Sequence, residues 1–340
     1  MTTPGKLGRG RQTPRTGSHH DTAHIGTLAG WQCLGMPSRR DLSFSVNDHD
    51  VPYVELRGDE PGPSILVMAG VHGCEYASIA AVRRLILELS EQPIRGTVTL
   101  IPVVNVTAFE QRVPFLVPAD GKNLNRCFPG DPAGTDADRL AAAVFDLVRR
   151  HEHLLDLHAG DLPEALVPFT IYEESAVEET ARAMAMAYGL DYVLRDPLSE
   201  RSAIAGSSES AASDAGVPAI IAEAGGQGLV AEYAVQLHRD GVLRVLRLLT
   251  ILPADDSAPP PQAQELAGSV WQYTAAGGWW QPEVGPGDHV VAGQRVGAIS
   301  DLLGVERAEI RADVDGVLLF LTSAAAVAEN GLLLAVGRLR

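Results

Sequence analysis

The segment Val67-Met68-Ala69-Gly70-Val71-His72-Gly73-Cys74-Glu75 sets an imidazole and a carboxylate three residues apart, just beyond an apolar run. Gly70 and Gly73 allow a sharp turn, so both side chains can face one side, as two of the protein ligands of a His/Glu/His zinc site. His158 closes His153-Leu154-Leu155-Asp156-Leu157-His158 and is the candidate third ligand. A site of this kind keeps a fourth position for water, whose pKa the metal lowers toward ~7. A separate carboxylate must then take the proton and pass it to a leaving amine. Glu223, in Ala222-Glu223-Ala224-Gly225-Gly226, is the candidate. Asn125 and Arg126 suit an anionic group of a substrate, the Arg through a bidentate fork.

Each feature alone has a plainer explanation. His-x-x-Glu arises often by chance, and a strand-final His158 can be a core histidine paired with Asp156. Glu223 can be a surface carboxylate on a glycine turn, and Arg126 can pair with a structural acid. Their joint occurrence at successive strand ends is hard to explain as packing and points to a metal hydrolase.

Such residues need a scaffold that ends several strands at one place. Ser64 to Met68 reads as a buried strand, and Glu75 to Ser90 as a helix with Ile79, Val82, Leu85, Ile86 and Leu89 on one face. Asp41 to Val46 and Val51 to Arg57 read as strands around an Asn47-Asp48 turn, and Thr97 to Asn105 as a fully buried strand. Ala108 to Asp136 is a Pro-, Gly- and Asp-rich loop, long enough to be functional. Further helices are expected over 138–150, 176–188, 207–215 and 229–252, and strands over 153–158 and 217–226. This alternation predicts an α/β fold with a mostly parallel or mixed sheet flanked by helices. His72, Glu75, His158 and Glu223 then fall at the carboxyl ends of strands, the edge where open α/β sheets bind ligands.

With His72-Gly-Cys-Glu75, Asn123-Leu-Asn-Arg-Cys-Phe-Pro-Gly130, Asp156-Leu-His158 and Glu223-Ala-Gly-Gly226, the chain from Leu42 to Leu252 resembles the succinylglutamate desuccinylase/aspartoacylase family. Those proteins are zinc amidohydrolases related to the zinc carboxypeptidases. The resemblance implies a carboxypeptidase-like fold, one Zn2+ per chain, and hydrolysis of an N-acyl amino acid. By position it makes His72, Glu75 and His158 the zinc ligands, Glu223 the catalytic glutamate, and Asn125 and Arg126 the binders of a substrate carboxylate. The chain departs from the family in two places. Members commonly carry an Arg shortly before the loop's Asp-Gly that polarises the scissile carbonyl, and Arg112 is the one candidate before Asp120-Gly121. Aspartoacylase itself uses an Arg about ten residues before the catalytic glutamate, where Ser213 stands here. Recognition of the amino acid's α-carboxylate must therefore differ.

Other residues carry less. Asp161 and Glu164 could meet a cationic substrate group or equally cap a loop, and Asp156 suits an outer partner of a ligating His. Cys74 and Cys127 read as packing residues, and Trp271, Trp279 and Trp280 as core or interface of the last module. Residues 1–25 read as a disordered tail, 26–253 as the hydrolase domain, 254–263 as a Pro-rich linker, and 264–340 as a small all-β domain. Val284 to Gln294 and Ala312 to Val317 resemble the paired hairpins of biotinyl/lipoyl-like barrels. The chain's lysines are Lys6 and Lys122, so that module cannot carry a lysine-linked group; a structural, lid or oligomer role is expected.

Composition narrows the partners. A formal net charge of -16 argues against nucleic acid and anionic membranes. No apolar run approaches the ~18 residues of a membrane span, and the N-terminus lacks a signal peptide's apolar core. Cys33, Cys74 and Cys127 form no disulfide framework, which fits a reducing cytoplasm. The expected protein is a cytoplasmic zinc-dependent deacylase acting on a small N-acyl compound, as a monomer or homo-oligomer. The alternatives are a carboxypeptidase-like peptidase and a non-catalytic metal-binding relative.

Overall fold

A computed structural model describes residues 34–197, 204–255 and 262–339. The expected tail, and most of the expected linker, lie outside the described residues. The first half contains β1 (Ser38–Val46), β2 (His49–Arg57), β3 (Glu60–Ala69), α1 (Tyr76–Leu89), β4 (Arg95–Ile101), α2 (Val106–Gln111), α3 (Asp136–Val148) and β5 (His153–His158). It continues through β6 (Glu164–Leu166), β7 (Phe169–Glu173), α4 (Glu178–Tyr188), β8 (Tyr192–Asp196), α5 (Ser208–Asp214), β9 (Ala219–Glu223) and α6 (Glu232–Leu248). Beyond it every described element is a strand: β10 (Gln264–Tyr273), β11 (Gly278–Pro282), β12 (His289–Val290), β13 (Arg295–Ser300), β14 (Glu306–Arg311), β15 (Gly316–Thr322), β16 (Ala326–Val327) and β17 (Leu332–Leu339).

The fold is mixed α/β. One sheet runs β1-β2-β4-β3-β5-β9-β7-β8-β10-β17-β15-β12, with β6 also on β15. Its centre, β4-β3-β5-β9, is parallel, while β1, β2 and β7 enter antiparallel to their inner neighbours. The Asn47-Asp48 turn has φ of 53° and 60°, the left-handed pair that a tight hairpin requires. β5 is buried on both faces because helices cover both. On one side α1, α4 and α6 supply Val82, Leu85, Met184, Tyr188, Val242 and Leu246 to a single core. On the other, Leu140, Val144 and Val148 of α3 join Ala212 of α5 against Leu66, Met68 and Leu154.

β10 pairs in parallel with β8, from Gln264↔Tyr192 to Leu266↔Leu194, so the sheet passes without a break into the C-terminal strands. Phe169, Ile171, Leu194 and Ile221 pack there with Leu266, Val317 and Leu319. A second sheet, β14-β13-β11-β16, closes a separate core around Trp280, Val296, Ile299 and Leu333. Three strands, β6, β7 and β8, are absent from the sequence-based expectation. Each is short, at three to five residues, and lacks the long apolar run that marked β3 and β9. The expected loop after β4 also contains α2, whose Asn105 side chain accepts from Ala108 N at 3.1 Å.

Candidate metal and substrate site

β3, β5 and β9 lie side by side with Ala69 opposite Leu157 and His158 opposite Glu223, so their carboxyl ends coincide. Beyond Ala69 the chain turns while Asn105 N donates to Gly70 O at 2.8 Å and Val104 N to Ala69 O at 3.0 Å. Gly73 is required by a close approach, because a Cβ there would sit 2.2 Å from Phe109 N. The turn brings His72 and Glu75 to the edge where β5 ends in His158 and β9 in Glu223.

Glu75 sits between the two imidazoles. Its Oε1 is 2.6 Å from His72 Nδ1 and its Oε2 is 2.9 Å from His158 Nδ1. The three donor groups lie within 4.8 Å of one another and all are buried. The far nitrogens face acceptors: His72 Nε2 is 3.0 Å from Asn123 Oδ1, and His158 Nε2 is 3.1 Å from Asp156 Oδ2. Ser208 Oγ donates to that same Asp156 oxygen, and Ser208 N to Asn125 Oδ1 at 3.0 Å. Two imidazoles that turn Nδ1 to a shared carboxylate and Nε2 to an outer acceptor are disposed as metal ligands usually are. Burial works to raise the Glu75 carboxyl, but His158 and His72 outweigh it and lower the group to about 2. Burial likewise opposes charge on His158, and Asp156 and Glu75 overcome it, holding the ring well above its ordinary pKa. The carboxylate surplus that retains a proton on the ring also suits a divalent cation, so the residues present fit a zinc ion.

Glu223 Oε2 is buried with no hydrogen-bond partner among the described residues. Burial, with Glu75 adding to it, pushes this carboxyl up to about 7 against the pull of His158 and His72. A carboxyl tuned near neutrality can both take and return a proton.

The cluster opens into a cavity of about 470 Å³. Asn123, Asn125, Arg126 and Phe115 also line it, and the facing wall carries Trp271, Phe320, Val327 and Leu332 from the C-terminal strands. Trp271 lies over Phe320 with ring centroids 5.6 Å apart. Arg126 stays exposed at the cavity wall, and its Nη1 donates to Asn125 O at 2.7 Å. Arg112 is not brought to the cavity: it is exposed, closes α2 at φ 57° and is not among the lining side chains. Ser213 points elsewhere, donating to Glu209 Oε1 at 3.2 Å. Of the tryptophans, Trp280 is core, Trp279 is half exposed and Trp271 faces the cavity.

Three supporting residues escape the sequence reading. Asn123 stands inside the Asn-Leu-Asn-Arg motif, so the signal for it was present. Ser208 and His238 reach the site from helices and left no local trace. His238, buried on α6, donates from Nε2 to Ala224 O at 3.1 Å and accepts at Nδ1 from Tyr188 Oη at 2.9 Å. It thereby holds the backbone next to Glu223.

A buried two-histidine, one-glutamate donor set on the carboxyl edge of a mixed α/β sheet, with a second glutamate beside it, is the class of site a metallohydrolase uses. A sequence model described as the succinylglutamate desuccinylase/aspartoacylase catalytic domain matches residues 61–249, more than half of the 340-residue chain, and the protein belongs to that family. The chain is 28% identical over 279 residues to the N-alpha-acetyl-L-2,4-diaminobutyric acid deacetylase of Halomonas elongata, covering 79% of this chain and 80% of that protein. The crystal structure of a succinylglutamate desuccinylase/aspartoacylase from Rhodobacter sphaeroides superposes with a TM-score of 0.76 at 23% identity, over 89% of this chain and 95% of that one. An aspartoacylase family protein from Mesorhizobium loti gives 0.73 at 25% identity, over 89% and 96%.

Proposed function

We propose that this protein is a zinc-dependent deacylase, hydrolysing the amide bond of an N-acyl amino acid or similar small N-acyl compound to a carboxylate and a free amine. The observation that carries this is the unpartnered Oε2 of Glu223, in one cavity with the His72, Glu75 and His158 donors. A binding site for metal alone has no use for a buried carboxyl near neutral pKa beside it. A zinc ion held by those donors would supply Lewis-acid polarisation of the scissile carbonyl and the attacking water. Glu223 takes the proton from the water and returns it to the departing nitrogen. Asn125 is held by Ser208 N, and together with Arg126 it orients the substrate's carboxylate. Trp271 and Phe320 present an apolar surface to the substrate from the facing side.

The deacetylase of Halomonas supports this reaction type. Among the described residues no helix is long and apolar enough to cross a membrane, and the sparse cysteines support a cytoplasmic setting. We assign catalysis to residues 26–253 and the substrate-facing wall to 264–340, a biotinyl/lipoyl-like module in structural use. Elemental analysis paired with product release from N-acetyl, N-succinyl and N-formyl amino acids tests the reading. About one zinc per chain in wild type and Glu223→Gln, with turnover lost in the variant alone, is the expected result. Absence of bound metal in both would end it.

A further inference from the structure

Among the described residues three carboxyls line the cavity, those of Glu75, Glu164 and Glu223, and the hydrolysis uses only the first and last. Glu164 opens β6, whose rungs with β15 place Thr322 opposite Glu164 and Phe320 opposite Leu166. Alternate residues of a strand share a face, and all four of these side chains line the cavity. A polar rung therefore stands beside an apolar one. The carboxyl is deliberately seated: Asp161 N donates to Glu164 Oε2 at 2.8 Å, and Gln227 N to Glu164 O at 2.9 Å. Gly160 and Gly226 make this possible, since a Cβ on them would lie 2.8 and 2.5 Å from Glu164 O. Among the described residues no Arg, Lys or His forms an ion pair with Glu164. Burial, reinforced by Glu75 and Glu223, pushes it up to about 8. A carboxyl withdrawn from water without a cation is unfavourable, and a cation brought by the ligand offsets that cost.

We propose that Glu164 is the specificity residue of this cavity, pairing with a primary ammonium on a short aliphatic side chain whose methylenes run along Leu166 and Phe320. Arg126 and Glu164 then give the cavity one cationic and one anionic anchor. The substrate class is an N-acyl diamino acid with its second amine free. This rests on the hydrolase reading and narrows it.

The test compares zinc-loaded wild type with Glu164→Gln. Acetate release is followed from Nα-acetyl-L-2,4-diaminobutyrate and Nα-acetyl-L-ornithine, which are cationic in the side chain, and from neutral Nα-acetyl-L-norvaline. Calorimetry separately measures binding of free L-2,4-diaminobutyrate and L-norvaline. Wild type should favour the cationic substrates at least about tenfold in kcat/KM. Removing one partner of a desolvated charge pair should cost the variant about 30-fold or more on those substrates, and under about threefold on norvaline. Turnover of the neutral substrate doubles as the check that the variant folds. Equal losses on both classes, or no cationic preference in wild type, would overturn the proposal. If no substrate is hydrolysed, the hydrolase reading falls, and calorimetry still decides for Glu164: diaminobutyrate binding must weaken in the variant while norvaline binding does not.

Discussion

The metal-facing wall of the cavity is assembled from the ends of β3, β5 and β9, parallel neighbours at the centre of the sheet, whereas the facing wall comes from β10, β15, β16 and β17 of the C-terminal strands. On the first wall the metal-site groups are held by one another, Glu75 by two imidazoles, His158 by Asp156 and Asp156 by Ser208, while Glu223 Oε2 has no partner among the described residues. On the second the side chains are mainly apolar, and Trp271 meets Phe320 without a polar contact between them. Chemistry demands donors held to fractions of an ångström, which converging strand ends with helices on both faces can supply. Selection of a substrate demands only shape and a few anchors, which an added set of strands can supply by lining the mouth. The reaction thus belongs to the converging strand ends, while choice of substrate is shared between the apolar C-terminal strands and the anchors Arg126 and Glu164.

The largest effect should come from the first wall. Glu223→Gln is expected to lower kcat by about 10²- to 10⁴-fold while zinc content and KM change little, because only the proton transfer is removed. Steady-state kinetics on the metal-loaded variant would check this, and near-normal turnover would break the division of labour outright. Next is acid sensitivity. Burial holds His238 at about 4 in the fold, below its ordinary 6.5. The unfolded chain then binds more protons between those values, so this stabilisation is complete above about pH 6.5 and disappears as pH falls through about 4. Between pH 7 and pH 4.5 it should amount to about 2 to 3 kcal/mol. Urea unfolding of His238→Gln across that range should show a correspondingly flatter pH dependence than wild type.

Asp156→Asn leaves all three donors in place but weakens the carboxylate that orients His158. Chelator competition should show zinc affinity reduced about 10- to 100-fold. Trp271→Ala tests the second wall and should have the smallest effect, raising KM about three- to tenfold with kcat within about twofold and zinc content unchanged. A large kcat loss there would show that the apolar wall takes part in the reaction as well as in selection.

How much could be read from the chain alone depended on how local each feature is. His72 and Glu75 share one turn, and Gly70 and Gly73 announce it. Each of His158 and Glu223 ends an apolar run whose meaning does not need a partner. The Asn-Leu-Asn-Arg motif likewise carries Asn125 and Arg126 in one short stretch. Arg112 illustrates the opposite case. Its position before Asp120-Gly121 suggested a place in the site, yet the turn that closes α2 leaves it exposed. The strands β6, β7 and β8 were not legible because their three to five residues lie outside any long apolar run of the kind that marked the equally short β9. They exist because neighbours pair with them.

By itself, then, the sequence determined the donor types, their order along the chain, and the alternation that makes strands finish beside helices. Tertiary structure alone decided that β10 would add to β8, that Thr322 would stand opposite Glu164, and that Ser208 and His238 would brace residues far from them in sequence. Local patterns encode backbone preference and face. Register between segments distant along the chain follows from how whole layers pack, and no short window of residues contains it.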